Sequence, residues 1–178
     1  MKKVISLSLL VIIMIIICLF CLSPITKDSM THVAKEDTLY SKALDYVISK
    51  QKNASYHKDK EDYHIFTDYI PYGIEETGHY QHIFMWIHLE SFYVLNDELI
   101  QDESFSIPYK ITYKDNQVIQ CETPESGNLY IDSIQRLFPP QIQNHILNHS
   151  SHSFDLSQQI QEHYAYLPSP DIAHTVCY

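Results

Sequence analysis

Glycine is nearly missing from this chain, with three in 178 residues, and arginine is reduced to one, Arg136. So few glycines leave no room for a glycine-rich phosphate cradle or a long flexible linker. The shortage of arginine accompanies a formal charge of −10, from 12 basic against 22 acidic residues. A nucleic-acid binder needs a basic footprint to displace counterions from phosphates, and this composition has the opposite sign. Direct adhesion to anionic lipid headgroups is disfavoured for the same reason. No G-x-S-x-G, H-E-x-x-H, S-x-x-K or Walker pattern occurs. A Ser/His/Asp triad can be imagined from almost any such residue counts, so that freedom is not evidence. No cofactor is indicated.

What the chain does have begins at its N-terminus. After Lys2 and Lys3, residues Val4 to Leu22 form an apolar run interrupted only by Ser6 and Ser8, ending at Ser23-Pro24. Such a run, as a helix rising about 1.5 Å per residue, matches the hydrocarbon thickness of a bilayer. It is longer than a cleaved signal's apolar region, and Pro24 is a poor residue to follow a cut. Cys18 follows Ile17 and Cys21 follows Phe20, whereas a lipoprotein signal needs a small residue before its cysteine. The expectation is a signal anchor over residues 1–24, with Lys2 and Lys3 inside and the remainder outside the cytoplasm. A cleaved signal, releasing a secreted domain, and a lipoprotein are the alternatives. Without Lys2 and Lys3, 10 basic residues face 22 acidic ones. Cys121 and Cys177 are the cysteines of the exported part, where a disulfide is permitted; two free thiols are equally open.

Downstream, the pattern predicts one α+β domain at 37–148, preceded by a polar tether at 25–36 and followed by a polar tail at 149–178. A helix is predicted from a cap at Asp37-Thr38, with Leu39, Ala43, Tyr46 and Val47 at helical spacing. Strands follow: Tyr63–Tyr72, ending at Pro71-Tyr72-Gly73; Tyr80–Val94, after a turn at Glu75–Gly78; Ser106–Tyr113; and Gln117–Glu122. Asn96-Asp97 and Lys114-Asp115-Asn116 read as hairpin turns. Ile131–Phe138 and Gln141–Asn148 read as short helices, and Asp155–Tyr164 as one more in an otherwise loosely held tail. A helix followed by an antiparallel meander suggests a curved sheet of three or four strands under one helix, a cystatin-like or NTF2-like cone.

The strictest alternation lies in Tyr80–Val94. Ile83, Met85, Ile87 and Leu89 point one way; His82, Phe84, Trp86, His88, Glu90 and Phe92 point the other. A tryptophan flanked by ionisable groups suits a ligand-facing surface, so His82, Phe84, Trp86, His88 and Glu90 are the ligand-facing candidates. Structural packing is the competing explanation. Glu90 or Asp68 could serve as a general base in a dry pocket, but nothing in the sequence pairs either with a nucleophile. For a metal, His79 and His82 form a first cluster with His88, yet His82 and His88 lie about 20 Å apart along one strand. His145, His149 and His152 form a second, weak cluster at helical spacing.

The segments Tyr80-Gln-His-Ile-Phe-Met-Trp-Ile-His-Leu-Glu-Ser-Phe-Tyr93, Asn96-Asp-Glu-Leu99, Ser106-Ile-Pro108, Glu122-Thr-Pro-Glu-Ser-Gly-Asn-Leu-Tyr130 and Leu137-Phe-Pro139 carry a resemblance. Over residues 60–140 the chain resembles uncharacterised small membrane-anchored extracytoplasmic proteins of Bacillus-type Firmicutes. That resemblance implies one N-terminal membrane segment or lipoprotein signal and brings no known activity. The chain departs from the pattern at Ser126, where the group favours Asp, and at Asp97, where it favours Gly. The resulting expectation is a single-pass protein of the cell membrane with a non-enzymatic role in binding or envelope sensing. Two alternatives stand beside it. One is a small ligand-binding or hydrolytic domain using the Trp86/His88/Glu90 face; the other is a structural partner subunit of an envelope complex.

Overall fold

The computed structural model describes residues 27–148 and 154–167. The apolar run at the N-terminus and the segment holding Cys177 lie outside the described residues. Among the described residues no helix is long and apolar enough to cross a membrane. The chain divides into two units, Met1–Thr38 and Leu39–Tyr178. In the first, the described residues belong to the opening of helix α1 (Lys27–Ala54). This helix therefore starts well before the predicted cap at Asp37-Thr38, and residues 27–36 are helical rather than an aperiodic tether.

The second unit is α+β. Four strands, β1 (His64–Thr77), β2 (Tyr80–Leu95), β3 (Glu98–Lys114) and β4 (Gln117–Glu122), form an antiparallel sheet in sequence order. Then come α2 (Tyr130–Leu137), α3 (Pro140–Leu147) and α4 (Ser157–His163). The meander follows from its connections, each two residues long. Asn96 and Asp97 have φ of 54° and 65°, and Asp115 and Asn116 have 49° and 64°. Positive φ at both central residues gives the turn a twist matching that of the flanking strands. Asn and Asp tolerate that region better than other residues with a Cβ.

Three bulges shape the sheet. Pro71-Tyr72-Gly73 is the first of them, rather than the end of a strand; β1 pairs onward to Thr77, so the predicted turn at Glu75–Thr77 is strand. Asp102 is the extra residue opposite Ser91 and Phe92, and Ile119 the extra residue opposite Thr112 and Tyr113. Pro71 and Pro108 lie on β1 and on the part of β3 that β4 does not cover. A proline has no N–H for the ladder, so each turns its nitrogen to the open side and blunts an edge.

Period-two alternation gives β2 two apolar faces, and both are covered. Ile83, Met85 and Ile87, with Tyr109, Ile111 and Tyr113 of β3, pack against Leu39, Tyr40, Ala43 and Val47 of α1. Phe84 and Trp86 on the other face pack under Ile134, Leu137 and Phe138 and under Ile142 and Ile146, from the α2–α3 segment. Farther along that face, Phe92 and Val94 join Phe66 and Leu99 under Leu156, Ile160, Tyr164 and Leu167. The segment expected to be a loose tail thus supplies core from 156 to 167. Its apolar positions recur at helical spacing, and an otherwise bare sheet face draws them in.

Candidate functional site

The five candidate residues share one face, as their alternation requires, but do not line one pocket. Phe84 and Trp86 are 2% and 8% exposed. The Trp86 indole N–H donates to Ser106 Oγ at 2.7 Å, its polar edge satisfied inside the packing. Trp86 thus packs under the apolar stripes of α2 and α3 instead of facing open space. His88 and Glu90 sit between the two apolar clusters. His88 Nε2 lies 3.0 Å from Glu90 Oε1, and Glu90 Oε2 accepts from the Gln101 amide at 3.2 Å. The His88 ring stacks on Phe154 at 5.1 Å, and its Nδ1 is buried without a hydrogen-bond partner among the described residues. Asp68 is exposed, with its carboxylate accepting from the Tyr69 N–H, so it lies in no dry pocket.

His82 stands apart from that packing and borders a shallow polar basin on this face, about 300 Å³ in volume. The sheet register builds its floor. Glu75 of β1 lies opposite His82 of β2, and Phe84 opposite Lys110 of β3. Arg136 of α2 borders the basin, with Leu137, Phe138 and Pro139 as its apolar wall. His82 Nδ1 pairs with Thr112 Oγ1 at 3.0 Å, which leaves Nε2 for another partner. Burial, then the Lys110 charge, holds the His82 imidazole below its ordinary pKa despite the opposing pull of Glu75 and Glu122. Lys110 lies 3.6 Å from Glu122, and Arg136 Nη2 donates to Glu125 Oε1 at 2.7 Å. Glu75 accepts from the Gln141 amide at 3.2 Å. Both cations are held at one carboxylate each and keep further donors, because guanidinium has five N–H groups and ammonium three. The basin can grip a charged group; the Thr112 hydroxyl that meets His82 is buried and is not part of the basin lining.

Two polar clusters escaped the sequence reading. At the end of α1, His57 Nδ1 lies 2.6 Å from Asp102 Oδ1, and Ser55 Oγ donates to Asp102 Oδ2 at 2.9 Å. The serine and the histidine side chains both point to the carboxylate and not to each other, so this is no triad. It clasps the α1 end to the bulge residue of β3, with the imidazole stacked on Tyr93 at 4.8 Å. At the α4 seam, the His64 and His163 rings lie 4.0 Å apart. His163 Nε2 meets Asp62 Oδ1 at 3.2 Å, and Tyr166 donates to Asp62 Oδ2 at 2.6 Å. Burial alone would raise the Asp62 carboxyl, but those two hydrogen bonds hold it below the ordinary value.

Of the second metal cluster, only His145 lies among the described residues. His145 stacks against Tyr72, with ring centroids 6.2 Å apart, and His149 and His152 lie outside the described residues. Among the described residues no three His, Cys, Asp or Glu side chains are placed to hold an ion. Cys121 is half-buried, and its pairing with Cys177 falls outside the described residues. Comparison with protein-family profiles, with curated proteins and with solved structures found no match.

Proposed function

We propose that this chain is a membrane-anchored extracytoplasmic binding domain that engages a charged group of an envelope partner through the His82–Lys110–Arg136 basin. One observation carries the proposal: in a chain of net charge −10, its single arginine and a lysine converge on one shallow depression of the folded domain. An open basin of this kind suits a group presented by a larger partner better than a small molecule that must be enclosed. The apolar run Val4–Leu22 supports the membrane placement, and the likeness to anchored extracytoplasmic proteins supports the envelope setting. One helix lying along a four-stranded meander supports the cystatin-like cone as the architecture, with the C-terminal helices as an addition on its other face.

The test joins location to contact. Protease added to intact cells should digest the domain and leave the N-terminal segment with the membrane. Cross-linking in membranes should then give an adduct that Arg136→Glu and Lys110→Glu abolish, while Lys114→Glu, at the end of β3, keeps it. Protection from external protease would overturn the placement, and an adduct indifferent to both basin substitutions would overturn the site.

A further inference from the structure

A second cavity, on the opposite face of the sheet, has different chemistry. It lies where the last turns of α1 run past β4, which pairs only with Lys110–Lys114 of β3. Beyond Glu122 the chain leaves the sheet through Thr123 and Pro124, so the helix overhangs a gap of about 190 Å³. Val47, Ala54 and Ile107 give it apolar walls, and Tyr109, Cys121 and Thr123 face it from the sheet side. Lys50 stands at its rim, exposed and without an ion pair among the described residues.

We infer that this cavity binds a small monocarboxylate with a short apolar tail. The charge pattern selects the sign: of 22 acidic residues none is in this lining, while an ammonium borders the gap. The two carboxylates nearby are outside it, Glu103 held by the amide of the lining residue Gln51 and Glu122 next to Cys121. Burial pushes the Cys121 thiol up, against the smaller opposing effect of Lys50, so no thiolate competes for that ammonium. One ammonium matches one negative charge, which favours a carboxylate over a phosphate dianion. Size selects the tail. With water occupying about 30 Å³, the gap equals roughly six waters, below the range of drug-sized ligands. A chain of about four carbons fills it, with the carboxylate at Lys50 and the methyl end between Val47 and Ile107.

The inference stands independently of the basin on the other face, and its test uses the whole chain in mild detergent with reductant present. Sodium butyrate titrated by calorimetry should half-saturate at roughly millimolar concentration, as expected for so few atoms. It should also slow alkylation of Cys121, followed by mass spectrometry of its peptide, about fivefold or more near saturation. Lys50→Gln, a surface change that leaves the core intact, should weaken binding about tenfold. Ala54→Leu should fill the gap and remove binding with the circular dichroism spectrum unchanged. Butylamine should neither bind nor protect Cys121. No heat with butyrate up to about 50 mM, equal protection by butylamine, or unchanged affinity in Lys50→Gln would each overturn the site.

Discussion

Replacing Ile160 by Ala tests whether the C-terminal segment is core or appendage. Ile160 is 2% exposed, in a cluster with Phe66, Phe92, Val94 and Leu99 of the sheet. The change removes three carbons at ~0.8 kcal/mol each in transfer free energy. The cavity left behind adds to that, because Leu156, Tyr164 and Leu167 are fixed around it and relax only in part. Alanine's better helix propensity returns a few tenths of a kcal/mol. The expected loss is about 3 kcal/mol. With a urea slope of ~1.5 kcal/mol per M for a domain of this size, the unfolding midpoint should fall by about 2 M. Trp86, the chain's one tryptophan, is buried under α2 and α3 and reports the transition by fluorescence. Gln159→Ala, an exposed neighbour on the same helix, should shift the midpoint by no more than about 0.3 M. If Ile160→Ala behaves like Gln159→Ala, α4 is not part of the cooperative fold, and the account of the covered sheet face fails.

Two further outcomes follow from named residues. Burial, then the nearby His163, holds the His64 pKa below its ordinary value, with Lys52 acting in the same direction and Asp62 against it. The unfolded chain therefore binds this proton more readily, and stability is lost as pH falls through the ordinary histidine range near ~6.5 towards the depressed folded value. Urea midpoints measured against pH should fall less steeply over that window in His64→Gln; an unchanged slope would place the dependence elsewhere. At the β2–β3 turn, Asp97 has a φ of 65°, a left-handed conformation that costs a residue with a Cβ. Asp97→Gly should raise stability by roughly 0.5 kcal/mol, since Asn-Gly is the favoured pair for this turn, and a lowered melting temperature would contradict the turn's role.

Local patterns carried much of the fold. The alternation of Tyr80–Val94 placed Ile83, Met85 and Ile87 opposite Phe84 and Trp86, and the structure puts them in separate cores. Asn96-Asp97 was legible as a turn because those residue types tolerate positive φ. Pro71-Tyr72-Gly73 misled because proline and glycine mark a bulge with the same residues that mark a turn. The candidate site was legible only in part. His82 belongs to the basin, but Lys110 and Arg136 reach it from β3 and α2, far along the chain. Arg136 had one available signal: it is the only arginine.

The sequence by itself determined the apolar N-terminal run, the acidic balance, the α+β class and the two-faced character of β2. These depend on composition and on periods of two or 3.6 residues, which neighbours along the chain set between them. Only the tertiary structure decided what covers each face. Trp86 is a core residue because the α2–α3 segment lies on it, and residues 156–167 are core because α4 closes the far end. Burial is a property of partners distant in sequence, and no local period encodes which partner arrives. The same reason hides both cavities. The basin arises where Arg136 overhangs the sheet, and the Lys50 cavity where α1 overruns the short β4.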